Sequence, residues 1–194
     1  MGRKRTNLED RIIQSASNLF YTNGFSNTGI ALIIEKANTN KTSFYQYFKS
    51  KDELGHKYIW LFNKKIIHNV IRLMRKSQST EDFIKRWLNM LKRSVKNKKL
   101  LNGCPVANYY SQLEIEKIKD KEYVHYLSHN WIKILTKYFS MQKKANKLKS
   151  KKSSESLAKQ FFIIYQGLLN TYKLTQDITI FDESYDLFMN CLEN

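Results

Sequence analysis

Residues 24–54 read Gly-Phe-Ser-Asn-Thr-Gly-Ile-Ala-Leu-Ile-Ile-Glu-Lys-Ala-Asn-Thr-Asn-Lys-Thr-Ser-Phe-Tyr-Gln-Tyr-Phe-Lys-Ser-Lys-Asp-Glu-Leu. Two short helical segments lie within this stretch. The first carries Ile30, Ile33 and Ile34, follows Thr28 as a candidate N-cap and stops near Ala37-Asn38. The second runs from Thr39 or Asn40 to Tyr47, with Phe44 and Phe48 directed inward. A tight turn between them needs a residue that accepts left-handed backbone, and Asn38 is the best choice after Gly. With Phe44 and Phe48 buried, the second helix presents Thr39, Asn40, Lys41, Thr42, Ser43 and Gln46, flanked by Tyr45 and Tyr47. Hydroxyls and amides both donate and accept, and Lys binds phosphate or guanine, so this face suits base edges and phosphates. Two short helices resting on a preceding one describe a helix-turn-helix unit. An ordinary helical hairpin with a polar outer face has the same pattern.

Outward from this stretch the chain reads as helix nearly everywhere. One Pro and six Gly in 194 residues leave few interruptions, and no period-2 alternation bounded by hairpin turns occurs. Upstream, Ile12, Ile13, Ala16, Leu19 and Phe20 line one face of a helix over Leu8–Thr22, which Asn23-Gly24 closes. Downstream, Ser50 caps a long helix over Lys51–Arg75, and Thr80 is the expected cap of a helix reaching Lys98. Pro105 starts a helix expected to continue through Val106, Leu113 and Ile115 to Lys117. Further helices are expected over Lys121–Lys144, Ser156–Leu174 and Asp182–Leu192. The fold class is all-α, with about nine helices and no strands.

The balance of 34 Lys+Arg against 17 Asp+Glu gives a net charge of +17, which points to a polyanionic partner. Residues 55–100 hold 13 basic residues against 2 acidic ones, so most of the excess lies beyond the helix-turn-helix stretch. A hydrophobic fraction of 42% argues against wholesale disorder. Cys104 and Cys191 make neither a disulfide framework nor a zinc cluster. No run reaches the roughly 18 apolar residues of a membrane span, and the basic Arg3-Lys4-Arg5 start lacks the apolar stretch of a signal peptide. A cytoplasmic protein is the expectation.

Residues 8–56 resemble the N-terminal domain of TetR-family transcriptional regulators. The resemblance rests on Gly24, Phe25, Thr28, Ile30, Ile33, Ala37, Lys41, Phe44, Tyr45, Tyr47, Phe48, Lys51 and Leu54, which match the family hallmark in order and spacing. Four positions depart from it: Asn38 replaces the turn Gly, Thr39 an apolar residue, Thr42 a Gly of the recognition helix and Ile34 a small Ala. The resemblance implies a helix-turn-helix DNA-binding domain over 1–52 and an effector-binding and dimerisation domain over 53–194. It implies a homodimeric repressor released from a palindromic double-stranded DNA operator by a small-molecule inducer. The implied operator contacts are Thr28, Thr39, Asn40, Lys41, Thr42, Tyr45, Gln46, Tyr47 and Lys51, with Arg3, Lys4 and Arg5 as a basic arm.

A second resemblance lies at Gly103-Cys104-Pro105-Val106-Ala107-Asn108, a Gly-Cys-Pro/Leu-x-x-Asn string that recurs in one branch of the family. Some relatives there sense electrophiles or oxidants through the Cys. A helix N-terminus and nearby lysines favour thiolate at Cys104, although many buried Cys are inert packing residues. The candidate effector-binding residues are Trp60, Phe83, Trp87, Cys104, Tyr109, Tyr110, Tyr126, Trp131 and Phe162. Aromatic walls suit flat or apolar ligands, and aromatics at helical spacing equally build plain core. His125 and His129 share a helix face but lack a third ligand nearby in sequence, so no metal and no cofactor are expected. Phe161, Ile164, Tyr165, Leu168, Leu169, Tyr185 and Phe188 are expected in the core or the dimer interface. The N-terminal part of the long helix from Lys51 is expected to add long-range attraction to DNA, and Lys92 to Lys99 are expected instead to surround the effector entrance and favour an anionic ligand. No nucleophile-base-acid order, phosphate loop or carboxylate pair in a motif context suggests an enzyme. The alternative reading is a non-specific or architectural DNA-binding protein without an effector.

Overall fold

The computed structural model describes residues 7–97, 102–114 and 118–193, and among them nine helices and no strand. They are α1 Leu8–Asn23, α2 Ile30–Lys36, α3 Lys41–Tyr47, α4 Lys51–Lys76, α5 Thr80–Lys96, α6 Pro105–Tyr110, α7 Ile118–Lys144, α8 Ser154–Thr175 and α9 Ile180–Leu192. The expected arm Arg3, Lys4 and Arg5, the basic Lys98 and Lys99, and the expected helix positions Ile115 and Lys117 lie outside the described residues.

Compactness divides the chain into two units, Met1–Lys64 with Pro105–Glu122, and Lys65–Cys104 with Tyr123–Asn194. They interleave in sequence, whereas the expected partition into 1–52 and 53–194 is a single cut. In the first unit, α1 buries Ile12, Ala16 and Phe20, one residue per turn of a single stripe. Phe25 packs on Phe20 with ring centroids 5.1 Å apart and on Tyr109 of α6 at 4.7 Å, and Tyr58 of α4 meets Phe20 at 5.6 Å. The absence of a side chain at Gly55 makes room for this cluster. A Cβ there would stand 2.7 Å from the Phe25 ring and 2.8 Å from that of Tyr109.

The second unit is built around α5. Its inner face buries Phe83, Ile84, Trp87, Leu88, Leu91 and Val95, while Lys85, Arg86, Asn89 and Arg93 stay outside. The spacing is that of an amphipathic helix whose whole apolar stripe is used. α8 and α9 pack on each other, and α9 also packs on α5.

Local chemistry corrects three expectations at helix ends. Ser79, not Thr80, caps α5, its hydroxyl accepting from the Asp82 N–H at 3.1 Å while Asp82 accepts from the Gln78 N–H at 3.0 Å. Asp82 thus satisfies the N–H of the residue before the cap, where a capping-box Glu would take that of the cap itself. Gly29 rather than Thr28 stands at the N-cap of α2, with no side-chain cap bond. α6 stops at Tyr110 instead of running to Lys117, because the chain closes into turns from Tyr109 O to Gln112 N and from Tyr110 O to Leu113 N.

Candidate nucleic-acid interface

The turn between α2 and α3 is fixed by backbone bonds. Asn38 has φ 48°, its N–H donates to Glu35 O at 3.0 Å, and the Thr39 N–H donates to Ile34 O at 3.1 Å. These two bonds form the Schellman closure of a helix C-terminus, with Asn in the left-handed position usually taken by Gly. A guanidinium nitrogen of Arg11, on α1, donates to the Asn38 carbonyl at 2.9 Å and ties the turn to the supporting helix. This contact was not legible in the sequence, since residues 27 positions apart share no periodic signal.

α3 starts immediately after. Asn40 caps it, its side-chain oxygen accepting from the Ser43 N–H at 2.8 Å. Phe44 is buried, and Phe48 closes the helix as a second buried anchor. The 100° step per residue then leaves Lys41, Thr42, Tyr45, Gln46 and Tyr47 exposed, with Thr39 half-buried beside them. Asn40 is exposed too, but its side-chain oxygen is committed to the cap. The result is a short ridge with one cation, two phenols, an amide and hydroxyls, set on a rigid base.

Two expected contacts are placed differently. Thr28 is turned inward and fully buried, its hydroxyl donating to Gly24 O at 2.7 Å, so that side chain holds the α1–α2 turn rather than facing a duplex. Lys51 donates to Phe25 O at 3.1 Å and lies 4.5 Å from the centre of the Phe25 ring. Its charge stays half-exposed while its stem clamps the same turn. Ser50 caps α4, its hydroxyl accepting from the Glu53 N–H at 3.1 Å, while the Glu53 carboxylate accepts from the Lys49 N–H at 2.8 Å.

Of the candidate effector residues, Phe83, Trp87, Trp131 and Phe162 come together in the second unit. Trp87 stacks on Phe83, Trp131, Phe161 and Tyr165 at centroid distances of 5.5, 6.5, 6.2 and 5.2 Å, and Phe162 meets Trp131 at 6.5 Å. The Trp87 indole N–H is buried among these rings without a hydrogen-bond acceptor. Cys104 is buried in the same unit, its sulfur 3.8 Å from the Gln166 side-chain nitrogen. Tyr126, also in this unit, is exposed on α7. Trp60, Tyr109 and Tyr110 belong to the first unit; Trp60 lies exposed between Lys57 and Lys64, whose ammonium groups stand 5.7 and 4.7 Å from its ring. His129 Nδ1 lies 2.8 Å from His125 O. No group of three or more His, Cys, Asp or Glu among the described residues is placed to hold a metal, and no helix there is long and apolar enough to cross a membrane.

The expected interface residues divide in the same way. Phe161, Tyr165, Leu168, Leu169 and Phe188 are buried within the protomer, and Ile164 and Tyr185 are half-buried. The apolar groups that α8 and α9 leave outside are Ile163, Leu174 and Leu187. Gly167, one turn beyond Ile163, has open space where a side chain would be.

Residues 12–56 match the family model described as bacterial regulatory proteins, tetR family. The chain is 27% identical over 200 residues to an uncharacterized HTH-type transcriptional regulator in the lacX 3' region of Lactococcus lactis subsp. lactis, covering 96% of this chain and 94% of that protein. Its fold is that of the regulatory protein TetR from Rhodobacter sphaeroides, with a TM-score of 0.81 at 16% identity over 94% of this chain and 99% of the other. A TetR-family transcriptional regulator from Agrobacterium tumefaciens superposes with a TM-score of 0.82 at 15% identity, covering 94% and 96% of the two chains.

Proposed function

We propose that this chain, whose residues 12–56 match the tetR-family model, is a homodimeric transcriptional repressor that a small molecule releases from a palindromic operator. The observation that carries this reading is the exposed ridge of α3 on its locked turn. Lys41 supplies a phosphate or guanine contact, while Thr42, Gln46 and Thr39 supply donors and acceptors of base-edge size. Tyr45 and Tyr47 present exposed phenols that suit phosphate oxygens. Thr28 and Lys51 act mainly by positioning this ridge, because the Thr28 hydroxyl and the Lys51 ammonium bond the protein's own backbone, and Asn40 does so through its side-chain oxygen.

Two further features support the rest of the reading. The α8–α9 surface carries Ile163, Leu174 and Leu187 in the open, an apolar face suited to a second copy of the chain. The aromatic cluster around Trp87 offers a flat effector both stacking surfaces and one buried donor without an acceptor. Gly103, Cys104, Pro105 and Asn108 support assignment to the branch with the Gly-Cys-Pro/Leu-x-x-Asn string. A partner of duplex DNA places the work in the cytoplasm.

Selection of duplexes from a random pool tests the function directly. A recovered palindrome with two half-sites about one helical turn apart supports it. Recovery of no common sequence would return the chain to a non-specific DNA-binding protein. On the selected duplex, Lys41→Ala is expected to weaken binding to all sequences and lower the salt slope by about one, whereas Gln46→Ala should relax discrimination at one position by about 1–3 kcal/mol.

A further inference from the structure

The outer face of α5 forms one side of a groove of about 490 Å³ that the α3 ridge and the Trp87 cluster do not involve. Arg86, Asn89, Met90 and Arg93 line it from α5, and Arg72 and Leu73 from α4. All of them belong to the second unit. Arg86 and Arg93 are seven residues apart, two turns on one helix face, so their stems start about 10 Å from each other. No carboxylate lines the groove. Asp82 accepts from Arg86 Nε through Oδ1 at 2.8 Å and from the Gln78 N–H through Oδ2, which orients the guanidinium and leaves its two terminal nitrogens unused by that bond. Arg72 has a 3.5 Å contact with the neutral Asn69, and Arg93 has no ion pair among the described residues. Lys92, by contrast, faces away and pairs with Asp182 of α9 at 2.7 Å. The basic excess of residues 55–100 is therefore partly concentrated in three forked donors around a floor made by Leu73 and Met90.

We propose that this groove is a binding site for a small phosphorylated metabolite carrying at least three negative charges. Guanidinium groups recognise phosphate through paired N–H donors, and the spacing of Arg86 and Arg93 favours an anion long enough to touch both. The volume lies in the range of small-molecule sites. The apolar floor accommodates an organic portion between the charged ends. The site is separate from the proposed operator contact and effector cluster, so it stands or falls independently of the regulator reading.

Titration calorimetry on the full chain at fixed salt tests it, with tripolyphosphate and inorganic phosphate as probes. Tripolyphosphate is expected to bind at least about tenfold more tightly than phosphate, which is too short to bridge the two arginines. The double variant Arg72→Gln/Arg93→Gln should lose about tenfold or more in tripolyphosphate affinity, while Lys144→Gln/Lys147→Gln, which removes the same charge from exposed positions outside the groove, should retain it. Equal losses in both variants would mean general charge attraction and would overturn the site. So would equal affinity for the two probes. A groove variant that weakens random-sequence duplex binding as strongly as tripolyphosphate binding would assign the arginines to DNA backbone instead. Thermal unfolding of each variant without ligand shows whether it is folded; should the double variant unfold, Arg93→Gln alone carries the comparison, at an expected loss of about threefold or more.

Discussion

Ser26 and Gln112 hold each other by two bonds: the Ser26 N–H donates to the Gln112 side-chain oxygen, and the Ser26 hydroxyl donates to the Gln112 carbonyl, each at 3.1 Å. Gln112 is fixed in turn by its own side-chain nitrogen, which donates to Asn108 O at 2.8 Å. The turn after α6 is thereby tied to the turn after α1, the same turn that Thr28 and Lys51 brace from inside. The first unit thus uses residues 86 positions apart to fix the segment on which α2 and α3 stand.

Gln112→Ala removes both side-chain bonds, the one from the Ser26 N–H and the one to Asn108 O, and leaves the Ser26 hydroxyl only the backbone carbonyl of residue 112. At about 1 kcal/mol for each neutral bond, the variant should lose about 1–2 kcal/mol of local stability. Hydrogen exchange is the suitable readout, because two compact units need not unfold together. Amides of residues 24–28 and 108–113 should exchange about tenfold faster, with those of α8 unchanged. Unaltered exchange at 24–28 would show that the pair does not brace the turn.

Gly55→Ala separates helix propensity from packing. In a solvent-facing helix the change would favour folding by roughly 1 kcal/mol. Here the new Cβ would sit within 3 Å of two rings, Phe25 and Tyr109, that are held on both sides. Overpacking of this kind costs about 1–3 kcal/mol. The net expectation is a lower melting temperature and weaker operator binding, since Phe25 moves with the α1–α2 turn. A stabilised variant would mean that the rings shift at little cost.

Much of this fold is legible in the sequence. Periodicity and caps gave the nine helices of the described residues, with α6 shorter than expected, and local chemistry gave Asn38 at the turn and Ser50 at the α4 cap. Hallmark spacing gave α3. Three kinds of feature stayed hidden. Gly55 reads as a weak point in a helix and gains meaning only from two rings distant in sequence. Thr28 matches a family position without revealing that its hydroxyl faces inward. Leu168 and Ile163 are equally apolar in sequence, yet one is core and the other is surface, because strongly apolar helices give no clean face.

That last distinction makes the dimer testable. Leu168 is 5% exposed, so Leu168→Glu would bury a charge and disrupt the protomer whatever its oligomeric state. Ile163 is 68% exposed, so Ile163→Arg leaves the protomer core intact. It is expected to yield folded monomers by light scattering, with unchanged helical content and melting lowered only by the lost stabilisation of association. A dimer that survives both Ile163→Arg and Leu187→Arg would place the interface elsewhere.

Tyr109 supplies a prediction about pH. Burial, with the charges of Asp120 and Asp52 adding to it, holds its phenol well above the ordinary value of 10.0, and the hydroxyl has no hydrogen-bond partner. The folded state therefore keeps a proton that the unfolded chain releases near pH 10. Stability from this group is fully present below that pH and is lost as pH rises beyond it, by up to about 1.4 kcal/mol per pH unit. Burial also pushes Tyr138 up to about 12 and raises Tyr165, so the wild-type protein should weaken steeply in alkali. Tyr109→Phe removes one of these contributions together with the unpaired hydroxyl, whose burial costs about 1–3 kcal/mol. Calorimetric melting should show the variant slightly more stable than wild type at pH 8, with the gap widening at pH 11. Equal slopes for the two proteins above pH 10 would mean that Tyr109 ionises without leaving the fold.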